Sequence, residues 1–256
     1  MTYCVAAATD HGIVFASDSR TNAGVDQLAT FNKMTVFEVP GERVITLLAA
    51  GNLASTQSVI SLLKLRRRSD TGAINPQGIL GLHSLYDVAT LIGDTMRGVA
   101  ARDAAVLTQH HIDPGCTFIL GGQIKGKAQR LFLIYPQGNF IESSQDTNFF
   151  QTGETKYGKP IIDRVVNYNT SLKDVAKCLL VSFNSTMRSN LSVGLPIELL
   201  AYEKDTLHVT FKRRFTENDP YFAEIGQFWS AGLRRVFAEA PDVPWEPDTP
   251  SAPSAP

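Results

Sequence analysis

The residue best equipped for chemistry stands at the start of the chain. Thr2 follows Met1, and aminopeptidases generally remove a starting methionine when the next residue is small. Thr2 would then carry both a hydroxyl and a free α-amine. An α-amine titrates at ~7.7–8.0, so near neutral pH a substantial neutral fraction is available to take the hydroxyl proton, directly or through a water. Nucleophile and base would share one residue, with no histidine required. A Met-Thr start is common by itself, and its neighbours give it weight. Asp18, within Ala16-Ser17-Asp18-Ser19-Arg20, ends one apolar run, and Lys33 opens another. If both runs return to the start of the chain, a buried Lys33–Asp18 pair places positive charge beside Thr2 and lowers the cost of its alkoxide. Gly51-Asn52 follows the apolar run Val44 to Ala49, where a backbone N–H unobstructed by a side chain would face a tetrahedral oxyanion.

Other chemistries lack their residues. There is no HExxH, no GxSxG and no GxGxxG, the spacings that zinc peptidases, α/β-hydrolases and dinucleotide enzymes need. Gly121 to Lys127, GGQIKGK, has the spacing of a phosphate loop, but Ala128 stands where Ser or Thr would hold magnesium. It also lies between two predicted strands, away from any helix N-terminus that would cradle a phosphate, so it reads as a hairpin turn. His110-His111 are adjacent at a predicted helix end and do not converge on one metal. Cys4, Cys116 and Cys178 lack CxxC spacing and sit in apolar runs, as buried structural thiols in a reducing compartment do.

The elements that must position Thr2, Asp18, Lys33 and Gly51 are strands. Thr2 to Thr9 and Ile13 to Ser17 are apolar runs about Asp10-His11-Gly12 and predict a hairpin at the very start. After a polar loop from Arg20 to Asn32, Met34 to Val39 and Arg43 to Ala49 pair about Pro40-Gly41. Helical spacing follows from Ala54 to Arg68, ending in Arg66-Arg67-Arg68, and from Leu85 to about Gln109 behind Ser84 as N-cap. Strands return at Cys116 to Ile124, Ala128 to Tyr135 and Phe140-Ile141. Helices at Tyr157 to Asn167 and Leu172 to Arg188 precede strands at Leu195 to Glu203 and Thr206 to Lys212, and a last helix spans Pro220 to Ala240. Segregated blocks of strands and helices predict an α+β fold of two antiparallel sheets face to face with helices outside, in one domain over 1–240. Residues 241–256, rich in Pro, Ser and Ala and holding Trp245, read as a disordered tail.

At 256 residues, 19% charged and a net charge of -1, the chain shows no basic surplus for a nucleic-acid backbone or an anionic membrane. The start MTYCVAAATDHG lacks the basic and apolar regions of a signal peptide, and no run reaches the ~20 apolar residues of a membrane span. The expected location is the cytoplasm.

These residues resemble a known family. Thr2 with SDSR at Ser17 to Arg20, Lys33 before an apolar strand, and AAGN at Ala49 to Asn52 look like the nucleophile, acidic, lysine and glycine elements of proteasome β-subunits and HslV. The likeness extends through LGGQIKGKAQRLFLIYPQGNF, QTGE at Gln151 to Glu154, and RSNLSVG at Arg188 to Gly194. With MTYC, SDSRTNAG and the TFxKM pattern, the chain is most similar to the bacterial proteasome-like Anbu group. The resemblance implies a four-layer αββα sandwich and a threonine-type peptidase acting on peptides or unfolded protein without a cofactor. In it Thr2 is nucleophile and base, Asp18 and Lys33 are activators, Gly51 is the oxyanion donor, and Arg20 and Asn52 support them. It further implies that Thr21, Phe31, Ala49 and Leu53 approach the side chain preceding the scissile bond, and that copies assemble into rings or open spirals. No docking motif for an unfoldase is recognisable.

The chain departs from the proteasome pattern where it has Glu154 in place of a serine and Ser189 in place of an aspartate that helps hold the nucleophile's amine, with Ser192 three residues on. The loop between Gly24 and Lys33 is one residue shorter. Glu154 is the candidate replacement carboxylate for the amine. Two alternatives follow: an amidase for a small or γ-glutamyl amide using the same nucleophile, and an assembly subunit in which Thr2 is idle.

Overall fold

The computed structural model describes residues 2–22, 28–69 and 71–244. Met1, residues 23–27 of the shortened loop, and residues 245–256, most of the predicted tail, lie outside the described residues. In chain order the elements are β1 (Tyr3–Thr9), β2 (Gly12–Asp18), β3 (Arg20–Asn22), β4 (Leu28–Thr30), β5 (Met34–Val39) and β6 (Arg43–Gly51). Helices α1 (Leu53–Leu65) and α2 (Leu85–Gln109) follow, then β7 (Cys116–Ile124), β8 (Arg130–Ile134), β9 (Phe140–Glu142) and β10 (Phe149–Gly153). Helices α3 (Lys159–Val165) and α4 (Leu172–Ser189), strands β11 (Ile197–Glu203) and β12 (Phe211–Phe215), and α5 (Pro220–Ala238) complete the described chain.

Two five-stranded antiparallel sheets form, ordered β10-β1-β2-β11-β12 and β5-β6-β7-β8-β9, with β3-β4 as a separate pair. Side chains alternate across a strand, and β1 shows what this does. Tyr3, Val5 and Ala7 enter a core with α4 residues such as Leu179 and Phe183. Cys4, Ala6 and Ala8 face the other way, into a core shared with Val44, Leu48 and Ile119 of the second sheet. A strand buried on both faces reads as an unbroken apolar run. A third core joins Ile45 and Leu47 of β6 to Val59 of α1 and Val88 and Ile92 of α2. Three apolar layers separate four layers of structure, so the predicted αββα sandwich is the observed one.

Helix starts follow the sequence closely. The Ser84 hydroxyl accepts the Asp87 N–H at 3.1 Å and the Ser171 hydroxyl accepts the Asp174 N–H at 3.2 Å, each cap contributing ~1 kcal/mol. Several boundaries differ from expectation. The loop from Arg20 to Asn32 contains the β3–β4 hairpin. Helix α1 stops at Leu65 with Arg66 as its C-cap, and Asn75 secures the chain just past the end, donating Nδ2 to the cap carbonyl Arg66 O at 2.9 Å and its N–H to Arg67 O at 3.1 Å. Strand β10 was not anticipated, since its five residues gain strand character only by pairing with β1. The strand read at Thr206 to Lys212 lies at Phe211–Phe215, an edge strand with Lys212, Arg213 and Arg214 exposed, a charged face that keeps an edge from pairing further.

Candidate active site

Thr2 lies at the mouth of β1 and is held from two sides. Its carbonyl accepts the Glu154 N–H at 2.7 Å, and the next residue, Tyr3, pairs with Gly153. Gly153 has φ +83°, and a Cβ there would lie 1.9 Å from Thr2 O, so only glycine lets β10 approach this closely. On the other side the Tyr3 N–H donates to Asp18 Oδ1 at 2.9 Å. The Tyr3 ring anchors the strand beneath, with its hydroxyl 3.1 Å from Ser182 Oγ and accepting from Gln151 Nε2 at 2.6 Å.

Asp18, the last residue of β2, is fully buried. The same Oδ1 receives Lys33 Nζ at 2.7 Å. Lys33, 8% exposed, also donates to the Arg20 carbonyl at 2.7 Å. An ammonium has three donors, so one remains uncommitted among the described residues on a side chain that lines the cavity with Thr2. Burial pushes the Asp18 carboxyl upward, against the Lys33 ammonium and the Tyr3 N–H, which pull it down. Arg20 lies over Gly194 and donates Nη1 to Leu191 O at 3.1 Å, tying the SDSR segment to the RSNLSVG segment.

Gly51 ends β6 at φ +104°, where a Cβ would lie 2.5 Å from Gly115 O. Asn52 fixes this corner. Its side-chain oxygen caps α1 through Ser55 N–H at 3.2 Å, its Nδ2 donates to Asp113 O at 3.0 Å, and its N–H donates to Gly115 O at 2.9 Å. A cavity of about 580 Å³ opens here, lined by Thr2, Lys33 and Gly51 together with Phe31, Ala49 and Leu53. That volume suits a small-ligand or short-peptide site, typically ~300–1,000 Å³. Thr21 belongs to β3, but its side chain is outside the described residues.

The second cluster is arranged differently from the expected one. Ser189 is exposed at the end of α4 and does not join Glu154. Asn190, which sequence reasoning missed, does. Its Nδ2 donates to Glu154 Oε2 at 2.7 Å and its Oδ1 accepts the Ser192 N–H at 2.9 Å, so Ser192 enters through its backbone. Glu154 is 8% exposed, and its Oε1 lies 3.9 Å from Lys156 Nζ. The sequence reading also passed over Gln57, Ile60 and Lys64, cavity-lining residues whose spacing from Leu53 on α1 is the available signal. None of the cysteines competes as nucleophile: all are buried and unpaired, with burial raising Cys116 to about 11 and Cys178 to about 12, and the Cys4 thiol, also raised by burial, donates to Ala49 O at 3.6 Å.

No protein-family model matches the chain, and no curated protein matches it. Solved structures do. Anbu (ancestral beta-subunit) from Yersinia bercovieri is 48% identical, with 96% of this chain and 100% of that one covered and a TM-score of 0.88. The helical assembly of the Anbu complex from Pseudomonas aeruginosa is 49% identical over 95% and 98%, with a TM-score of 0.88. Anbu from a Hyphomicrobium species is 46% identical over 95% and 100%, with a TM-score of 0.83. Identity of this order along the full length, on a shared sandwich of two five-stranded sheets, means that the chain belongs to the Anbu family of bacterial proteasome-like proteins.

Proposed function

We propose that this protein is a threonine-type peptidase whose nucleophile is Thr2 after removal of Met1. The observation behind this reading is that one cavity holds Thr2, Gly51 and a lysine whose ammonium is fixed on a buried carboxylate. The Thr2 hydroxyl attacks the scissile carbonyl while the α-amine takes its proton. Lys33 favours the developing alkoxide electrostatically, and the Gly51 N–H faces the tetrahedral oxyanion. Collapse breaks the C–N bond, the amine returns the proton to the leaving nitrogen, and an ester to Thr2 remains. Water activated by the same amine then hydrolyses it. Asp18 acts by positioning, holding Lys33 and the backbone of residue 3 with one oxygen. Residues 1–240 form the hydrolase domain in this reading, with 241–256 an appended tail. The Pseudomonas relative's helical assembly supports self-association of this chain as well. No helix among the described residues is long and apolar enough to cross a membrane.

A second reading, an idle assembly subunit, draws support from the Glu154 carboxylate, one of whose oxygens is already engaged by Asn190. Intact-protein mass before and after a peptide epoxyketone, which captures a hydroxyl and neighbouring free amine together, separates the two. Loss of Met1 with one adduct per chain, absent in Thr2→Ala, is expected of the peptidase. Met1 loss with no adduct in any assembly state would leave the idle subunit.

A further inference from the structure

The cavity that holds Thr2 is lined along α1, and the charged side chains among its described lining residues are all basic. Leu53, Gln57, Ile60 and Lys64 line it from α1, a spacing that keeps one helix face turned to it. At 1.5 Å per residue, Lys64 stands ~16 Å along the axis from Leu53, beside Gly51. Lys33 and the first residues of β5, Met34 to Val36, line it as well. Lys212 of β12 also reaches the cavity. Strand register places it: Asp18 lies across from Ile197, which pairs with Phe215, whereas Phe15 lies across from Leu200, which pairs with Lys212. Lys212 is therefore three residues, ~10 Å, along the strands from the Asp18 level, and two strands, ~10 Å, across the sheet from it.

Among the described residues the lining includes Lys33, Lys64 and Lys212 and no Asp or Glu. Lys33 is matched by Asp18. Neither Lys64 nor Lys212 has a carboxylate partner among the described residues. Glu38, two residues beyond Val36, accepts the Val209 N–H at 3.0 Å and is not part of the lining. Lys64 and Lys212 thus stand on the order of 14–16 Å from the Gly51–Asp18 level, a distance an extended chain covers in four to five residues at ~3.3 Å each.

We propose that the groove takes an extended peptide and selects an acidic residue four or five positions from the bond at Thr2, through Lys64 and Lys212. The cut rests on the peptidase reading; the binding does not. Both lysines are exposed, so the preference is modest, about fivefold for glutamate over glutamine, as exposed charge pairs allow. The test uses labelled decapeptides with glutamate, glutamine or lysine four or five residues from a fixed central cleavage site, on either side. Binding to Thr2→Ala is read by fluorescence polarisation, and cleavage by wild type as kcat/KM. The glutamate peptide should bind best at one or more of these positions, less so at high salt, and a K64E/K212E variant that melts like its parent should prefer lysine. Equal binding of the three peptides, no binding of any, or an unchanged preference in K64E/K212E overturns the inference. Charge-selective binding without cleavage by wild type removes the peptidase reading and leaves the groove; cleavage without charge selection does the reverse.

Discussion

Replacing Lys33 by methionine tests the centre of the site. The side chain is close in length, so packing beside β6 is largely kept, but Asp18 is left without its cation. Asp18 is fully buried, and its Oδ1 would retain only the Tyr3 N–H. Breaking a buried pair on one side costs ~3–5 kcal/mol, a large share of the ~5–15 kcal/mol that holds a domain folded. The loss has a sign in pH. Burial already raises the Asp18 carboxyl, and without Lys33 its folded value rises further above the ~3.9 of an unfolded chain. A carboxyl raised in the folded state destabilises it as pH climbs above the unfolded value. K33M should therefore lose most at about pH 8 and progressively less toward pH 4, where Asp18 is protonated in the folded state and about half protonated in the unfolded chain. Adding Asp18→Asn removes the stranded charge and should return about half of the loss or more. The assay is urea unfolding of wild type, K33M, D18N and the double variant at fixed protein concentration across that pH range. A K33M cost below about 1 kcal/mol, or one independent of pH and unrelieved in the double variant, would refute the assignment of a buried, mutually dependent pair.

The other predictions concern the supports around it. Gly153→Ala places a Cβ against Thr2 O at a positive φ; it should cost ~1–3 kcal/mol and slow epoxyketone labelling of an unchanged Thr2, read by mass against time. Asn190→Ala strips the donor from buried Glu154 Oε2 and should cost ~1–3 kcal/mol with a fall in kcat, measured by melting and peptide turnover; full turnover would show that the Glu154 cluster is only structural. Asp219 caps α5 through the Phe222 N–H at 3.1 Å and accepts Arg213 Nη2 at 2.8 Å. Burial presses its carboxyl upward, but these two partners outweigh it and hold it below the ordinary value. Asp219→Ala should thus cost ~1 kcal/mol near neutral pH, and its deficit should close as pH falls below ~3.9, because a depressed carboxyl stabilises only while ionised; urea midpoints on either side of that value decide it.

Legibility in the sequence followed the range of the interactions. Helix α2 matched Leu85 to Gln109 because periodicity and the Ser84 cap are local signals, and β5 and β7 matched because their apolar runs are buried by facing layers. Strand β10 was invisible because FFQTG becomes a strand only beside β1. Strand β12 was displaced because Thr206 to Thr210 read as the better strand, while the real one is charged. At the site, Asp18, Lys33 and Gly51 were legible as types at the ends of predicted strands. Asn190 was not: a polar residue closing a helix is ordinary, and its partner Glu154 is 36 residues away in sequence. Lys64 and Lys212 were missed for the same reason, since only the fold brings a helix end and an edge strand to one groove.

The double hold on the first strand has a practical consequence. Asp18 grips the Tyr3 amide from one flank while Glu154 takes the Thr2 carbonyl from the other, so β1 cannot slide outward to accommodate extra chain. A slip of one position would exchange its inward and outward faces, burying Cys4 and Ala6 where Tyr3 and Val5 now pack. If Thr2 acts as proposed, any residue fused ahead of it occupies the α-amine that the reaction needs free. Under that reading purification handles belong at the far end, beyond α5, and a preparation that retains residues before Thr2 is expected to keep its fold and to escape epoxyketone labelling.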